Sequence, residues 1–528
     1  MTKVLQKRLM IGLACALLVL LCIKYFWSLL LFPGVPFGYD AGMYRYLFIK
    51  HAEAFPPFSV TQLPPWAESH PLGLFFFSTV LMRAGVPVDS LIGWVWNLFP
   101  VILSTVLAIV FARKKGIHLG ILILVVSLLS TVQYQGFLMM YWKVFAAFFC
   151  CILAFDARER QSRMWVFFGM LTIAIHQQIG LIFALAVFSS LLSSAHRRKT
   201  LVQGIGWLAL SLVLGLLWYL PNFTHALSDL WPLLRVSASS TVTLGVVLFV
   251  LGALFIFTVV PKYGHRILLI ACGVIGIVLL LLPHTGIAPG FLSHLTKTDV
   301  VPGSFLTIPE YLELSLPMLL LGIFGLMHSL KKEKGTVWQW AVLWSALAVC
   351  SMFFFYRRFL LPLDFFLLPF SALALHAMWT NRDHRYRLLC GAFVFMQGFL
   401  VFRQIGTIDP HVDRRMLQEF SELHRVIEPV SQVIVLDVMA PWIVGYLPQN
   451  AVSGPGIFDS QPLSAWERFL YGTAEERQTF ISHYPKGTYF YATDVFRVYY
   501  PPEVQTLFTH PCLERLEALG LYRSTCGV

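Results

Sequence analysis

An acid at the end of a long apolar segment is the first feature with chemical potential. Gly38-Tyr39-Asp40-Ala41-Gly42-Met43-Tyr44-Arg45-Tyr46 directly follows residues 11–32, which are almost wholly apolar and long enough to cross a bilayer. A carboxylate at the mouth of such a helix is costly to desolvate, so it is usually kept for a task. Asp is also a good N-cap, and the plainer reading of Asp40 is the cap of a helix starting at Ala41. Other polar groups recur where apolar stretches end: Glu53, then Glu68-Ser69-His70-Pro71-Leu72-Gly73, His176-Gln177-Gln178 and Tyr356-Arg357-Arg358-Phe359. A carboxylate within reach of a hydroxyl can act as a general base. A guanidinium binds two phosphate oxygens at once. One acid, a polar helix junction and an arginine pair facing a bilayer suggest a reaction between a polar acceptor and an anionic lipid. Plainer roles exist here too: headgroup snorkelling for Arg357 and Arg358, a buried hydrogen-bonded ring for His176, and a solvated loop acid for Glu53.

The elements that must position these groups are apolar helices. The chain is 57% hydrophobic and 12% charged, with a mean hydropathy of +0.71, a composition foreign to soluble globular domains. Its net charge of +12 is clustered in a way that reads as membrane topology rather than nucleic-acid binding. The basic clusters are Lys3/Lys7/Arg8, Arg113/Lys114/Lys115, Arg158/Arg160/Arg163, Arg197/Arg198/Lys199, Lys262/Arg266, Lys331/Lys332/Lys334 and Arg382/Arg385/Arg387. Cytoplasmic helix ends collect Lys and Arg, so neighbouring clusters are separated by an even number of crossings. The apolar run at 70–86 is short, and counting it as a span would put Arg113–Lys115 outside. It is therefore read as a helix lying in the outer interface.

The predicted spans are 10–31, 91–111, 117–137, 142–156, 165–176, 178–195, 201–220, 241–260, 267–284, 314–330, 337–355, 359–378 and 387–404. They make a polytopic α-helical membrane protein of about 13 crossings, with a cytoplasmic N-terminus and an outer C-terminus. The first run lacks a convincing cleavage site and reads as a retained anchor. With few basic residues and no long targeting extension before it, a bacterial inner membrane is expected. Asp364 is an ionisable residue expected within a span, pairing with a neighbouring helix or serving a transport path.

Charges become frequent after Gln404, which divides the chain into a transmembrane domain, 1–404, with a long first outer loop at 33–90, and an extracytoplasmic α/β domain, 405–528. Strands are expected at 431–439 and 487–492, and helices at 413–427 and 465–484. No Gly-rich phosphate loop follows the first strand, which argues against a nucleotide site. The nine cysteines show no metal-ligand spacing. Cys512 and Cys526 alone lie outside the apolar spans; an outer compartment permits a disulfide between them, enclosing a short amphipathic helix at 513–519 that stops at Gly520.

The order of a first span, an acid, a long outer loop with His70-Pro71-Leu72-Gly73, many further spans and Arg357-Arg358-Phe359-Leu360-Leu361-Pro362 resembles the GT-C superfamily of membrane glycosyltransferases. This superfamily includes protein O-mannosyltransferases, the lipid A aminoarabinose transferase and oligosaccharyltransferase catalytic subunits. The resemblance implies a GT-C-like fold and an inverting transfer of sugar from a polyprenyl-phosphate donor to a glycan, lipid or protein acceptor on the outer face. It places the catalytic acid at Asp40; Tyr44 or Glu68, with His70, are the candidates for orienting base and acceptor. On the reading built from this chain's own residues, Arg357 or Arg358 would hold the donor phosphate, and His176 and Gln177 would line the cavity. The chain departs from the pattern in four places: His70-Pro71-Leu72-Gly73 is one proline short of the mannosyltransferase His-Pro-Pro-Leu-Gly, Ala41 replaces an acid after Asp40, the next outer loop (Gln133-Tyr134-Gln135-Gly136) carries no acid, and there is no Trp-Trp-Asp signature. A divalent metal therefore has no second acidic motif to support it, and sequon transfer is disfavoured. Two rivals stand beside this reading. One is a transporter or lipid flippase, which would show paired broken helices and mid-membrane charges. The other is a catalytically inactive GT-C-like assembly partner.

Overall fold

Apolar sequence becomes helix throughout the first four hundred residues wherever the computed structural model describes the chain, at residues 3–54, 63–68, 72–194, 198–222, 305–333, 335–351, 355–455, 458, 461–516 and 520–527. The predicted spans 241–260 and 267–284, and His70, lie outside the described residues. Five helices are long and apolar enough to cross a membrane: Arg8–Leu31, Lys199–Tyr219, Ile308–Lys332, Tyr356–Thr380 and His384–Gly406. Two bent pairs, Val88–Val95 with Leu98–Lys115 and Ile117–Leu129 with Thr131–Leu138, raise the number to seven when each pair counts as one span. Other predicted spans form shorter apolar helices. Met164–Ile175 has 12 residues and Val337–Cys350 has 14, about 18 and 21 Å at 1.5 Å per residue. A hydrocarbon core is about 30 Å thick. The described residues therefore carry a helical membrane protein with five to seven apolar spans. Gly73–Arg83 has 11 residues, too short to cross.

The chain forms two compact units, one of residues 1–27, 70–74 and 97–408, the other of residues 28–69, 75–96 and 409–528. Residues 28–69 and 75–96 thus group with the C-terminal region, while residues 70–74 group with the helices.

In the helical unit, Leu360–Thr380 is buried on nearly every side, as expected of a helix that is apolar all round. It packs on Ile308–Lys332, where Gly325 lets the backbones touch. A Cβ there would come 1.8 Å from the Phe370 carbonyl oxygen, a use of small residues common between membrane helices. His384–Gly406 does the opposite and exposes Leu388, Phe395, Phe399 and Phe402, the surface lipid would cover.

The second unit contains a five-stranded sheet in the order β2-β1-β3-β5-β4. The strands are β1 (Gln432–Val435), β2 (Ala451–Ser453), β3 (Tyr489–Tyr491), β4 (Leu513–Arg515) and β5 (Leu521–Ser524). β1 pairs in parallel with β2 and β3, while β5 is antiparallel to β3 and β4. Val433, Ile434 and Val435 are fully buried, as the central strand of a parallel set should be. The predicted helix at 465–484 is broken in two, Leu463–Tyr471 and Ala474–Ser482. The break falls at Gly472, after which Thr473 and Glu476 form a capping box that starts the second helix. The helix predicted at 513–519 is corrected to strand over Leu513–Arg515. Pairing with β5 wins over the local helical pattern, as tertiary context does for weak propensities. Cys512 and Cys526 are joined by a disulfide across this hairpin, with Cα atoms 5.0 Å apart.

The helix Ala41–Glu53 lies directly against Ala440–Tyr446. A Cβ on Gly42 would sit 2.3 Å from the carbonyl oxygens of Pro441 and Trp442, and one on Gly445 would sit 2.4 Å from the Gly42 oxygen. Arg45 fastens the same crossing. Its Nε donates to Asp89 Oδ1 at 2.8 Å, its Nη1 to the Gly445 carbonyl at 2.5 Å, and its guanidinium lies 4.7 Å from the Tyr446 ring centre.

Candidate functional site

Within the helical unit the chain is interrupted at His176, between Met164–Ile175 and Gln177–Ser194. His176 is extended, at φ −153° and ψ 120°. Its Nδ1 accepts from the Ile179 amide at 3.4 Å, and its carbonyl accepts from Gly180 at 2.9 Å, so the ring serves the start of the second helix. The charges that reach His176 are those of Lys143 and Arg358. Arg357 precedes Arg358 in the 3-10 turn Tyr356–Phe359. Gln177 is exposed and His176 half-buried.

Both turns that deliver these cations carry a non-glycine residue in the left-handed region. Phe355 (φ 49°) leads into the arginine pair, and Met140 (φ 57°) lies three residues before Lys143. Such residues cost on the order of 1–3 kcal/mol and persist where surrounding structure holds them. Arg358 stacks over the Phe355 ring at 5.1 Å, and its amide donates to the Phe355 carbonyl at 2.8 Å. The last residue of the His-Pro-Leu-Gly motif also reaches this junction. A Cβ on Gly73 would come 2.8 Å from the Ala174 carbonyl and 2.6 Å from Ile175 Cγ1, so only glycine fits beside the chain entering His176.

A second polar group lies deeper in the same unit, where the pair Ile117–Leu129 and Thr131–Leu138 bends by 56°. The bend leaves carbonyls of the first helix without intrahelical partners. Lys24 Nζ takes two of them, Leu128 O at 2.8 Å and Ser127 O at 3.4 Å, and also donates to the carbonyl of Ser130 at the bend itself, at 2.7 Å. Asp364 Oδ2 serves the opposite end. It accepts from Ser130 Oγ at 2.9 Å and Gln133 Nε2 at 2.8 Å, at the start of the second helix. Each charge thus complements the dipole of the helix end it meets. Lys24 and Asp364 are 2% and 4% exposed. Asp364 is held by neighbouring helices, and its Lys24 counterpart escaped the sequence reading because it sits inside an apolar run.

Asp40 belongs to the second unit. It occupies the N-cap position of Ala41–Glu53 and accepts the Tyr44 amide through its backbone carbonyl at 2.9 Å, but its side chain makes no capping bond. Tyr39 beside it donates its hydroxyl to the Val438 carbonyl at 2.9 Å. Burial, with Asp40 and then Asp437 nearby, pushes the Tyr39 phenol up to about 12. Asp437 is buried at the end of β1, where it accepts from the Met439 amide at 2.9 Å and Thr493 Oγ1 at 2.7 Å. Tyr44 is buried, its ring 5.9 Å from Phe48 and 6.3 Å from Phe75. Glu68 ends the helix Pro65–Glu68, and its side chain lies outside what is described. Asp40 and Tyr44 thus fall in one unit, and His176, Gln177, Arg357 and Arg358 in the other. Among the described residues no three His, Cys, Asp or Glu side chains gather as a metal set.

His51, on the same helix as Asp40, stacks on Phe75 at 5.0 Å and is 1% exposed. Burial pushes its pKa down from 6.5 to about 4. The fold holds the neutral ring, so the unfolded chain binds the extra proton. Stability is then full above about pH 6.5 and falls as the pH drops towards 4, by at most about 3 kcal/mol. Melting midpoints between pH 7 and 4 should therefore fall more steeply in the wild type than in His51→Phe. Parallel curves would deny His51 this role.

No protein-family model matches the chain, and no curated protein is detectably similar to it.

Proposed function

We propose that the protein is an inverting, GT-C-like glycosyltransferase that moves a sugar from a polyprenyl-phosphate lipid to an acceptor on the outer membrane face. The observation that carries the reading is that the cations Lys143 and Arg358 both act on His176 at a polar interruption in apolar helices. Such a group suits a lipid-linked phosphate, and the turns that present it are held in a strained form. In the reaction the acceptor hydroxyl oxygen bonds to the anomeric carbon, and Asp40 takes the hydroxyl proton. The bond from the anomeric carbon to the phosphate oxygen breaks, and its electron pair leaves on the phosphate. Arg357 and Arg358, with Lys143, offset that developing charge.

The polar group at Lys24 and Asp364 favours a transporter on one count, a broken helix at membrane depth. Its detail speaks against that reading. The ammonium of Lys24 fills the carbonyl end where a mobile cation would be held, and Asp364 Oδ2 is already engaged by Ser130 and Gln133.

The expected orientation puts the N-terminus inside, the C-terminus outside and the protein in a bacterial inner membrane. The Cys512–Cys526 disulfide supports an oxidising location for the C-terminal region. Cysteines introduced at Arg83 and at Lys114 should react with impermeant reagents from opposite sides; reaction from one side would refute this orientation.

Replacing Arg357 and Arg358 together with Gln should weaken donor binding. Each lost charged hydrogen bond is worth roughly 1.5–3 kcal/mol, or at least tenfold in Kd. Binding of a fluorescent polyprenyl phosphate to the purified protein reads this directly. Unchanged affinity would return both residues to headgroup snorkelling.

A further inference from the structure

The second unit contains a groove of about 820 Å³ that the proposed reaction leaves unused. Its volume falls within the roughly 300–1,000 Å³ of ligand sites. The floor is aromatic. Trp66 lies 5.4 Å from the Tyr46 ring and meets Phe458 edge-on at 4.8 Å. Tyr46 and Phe458 are buried, and Trp66 remains half-buried in the groove. Around this platform stand groups that hydrogen-bond neutral partners: the exposed Gln449 amide and His483 ring, with Lys50. Lys50 is already paired with Glu53 at 3.2 Å, and Gln449 donates to the same carboxylate at 3.3 Å. The charge at the rim is therefore balanced, which disfavours an anion.

The rim also holds Val430, 84% exposed at φ 65°. A β-branched residue in the left-handed region is a conformational outlier. It is held by the Asn450 amide, which donates to the Glu428 carbonyl at 2.7 Å and the Ser431 carbonyl at 3.2 Å. Strain maintained by its surroundings clusters at binding sites.

We propose that this groove binds a neutral carbohydrate chain. A pyranose has an apolar C–H face that rests on an aromatic ring and a rim of hydroxyls that both donate and accept. An indole platform edged by an amide and an imidazole matches both features. An extended peptide is the competing occupant, since the edge strand β2 borders the groove. That edge is only three residues long, too short to pair well with an added strand. The purpose of the groove rests on the transferase reading, in which it holds a glycan acceptor; its binding chemistry does not.

The test applies detergent-purified full-length protein to arrays of neutral oligosaccharides, acidic oligosaccharides and unglycosylated peptides. Neutral oligosaccharides should bind, with affinity falling at least tenfold in Trp66→Ala and severalfold in Gln449→Leu. Trp66 also packs against Tyr46 and Phe458, so its variant is paired with the exposed Gln449 variant, and melting midpoints are measured for both. No oligosaccharide binding, binding indifferent to both substitutions, or capture of peptides or acidic glycans instead would each overturn the proposal. Asp40→Asn separates the two readings, because it should bind the same oligosaccharides as the wild type. Oligosaccharide binding with no sugar transfer by the wild type would keep the groove and remove the transferase. Transfer with no groove-dependent binding would do the reverse.

Discussion

Asp40→Asn should cut sugar transfer by about 10²-fold or more while leaving the fold and donor binding nearly intact. That is the scale expected for loss of a general base. The substitution keeps size and shape, so packing should not change. Asp40 stands at an N-cap without contributing a side-chain capping bond, and Asn is in any case an equally good N-cap. The helix behind it is fixed by other means, the backbone contact of Gly42 with Pro441 and Trp442 and the clamp made by Arg45. Melting midpoint and polyprenyl-phosphate affinity are the controls, and initial rate is the readout. A variant with wild-type rate would remove Asp40 from the chemistry. One that lost rate and melting midpoint together would make it a structural residue.

The largest stability effect is expected at Lys24. Lys24→Met keeps most of the side-chain volume but removes the ammonium that meets the carbonyls of Ser127, Leu128 and Ser130. Removing one partner from a buried charged network costs about 3–5 kcal/mol, because the remaining polar groups stay buried without compensation. Asp364→Asn in the Lys24→Met background should recover part of the loss, since the amide oxygen still accepts from Ser130 Oγ and no longer carries a charge. Thermal unfolding of the two single variants and the double variant in one detergent gives the coupling directly. A Lys24→Met variant within about 0.5 kcal/mol of wild type, the range of ordinary surface changes, would show that the bend at Ser130 holds without Lys24.

Lys24 also shows where sequence reading stops. Apolar runs mark helices well, because burial and lipid exposure both demand apolar side chains, and the strand at Gln432–Val435 was legible for the same reason. The interruption at His176-Gln177-Gln178 was visible because polar residues break a run. Lys24 is a single charge inside an apolar run, and its meaning depends on a bend over a hundred residues away. The cost of burying it was the available signal. Lys143 lies at the start of the predicted span 142–156, and its effect on His176 is tertiary. At Leu513–Arg515 the local pattern of charges suggested helix, but a non-local partner strand and a disulfide decide the structure. The same limit applies to Trp66, Tyr46 and Phe458. Phe458 meets Trp66 across almost four hundred residues of sequence, and no spacing rule would have joined them.

The central claim is transfer from a lipid phosphate with inversion. The direct measurement incubates purified protein with a polyprenyl-phosphate sugar of known anomeric configuration and a cell-envelope acceptor fraction. It follows released polyprenyl phosphate by mass spectrometry and the product's anomeric carbon by NMR. The account predicts one polyprenyl phosphate released per sugar transferred, and a product of opposite configuration to the donor. No release above a protein-free control, or a product with the donor's configuration retained, would contradict it.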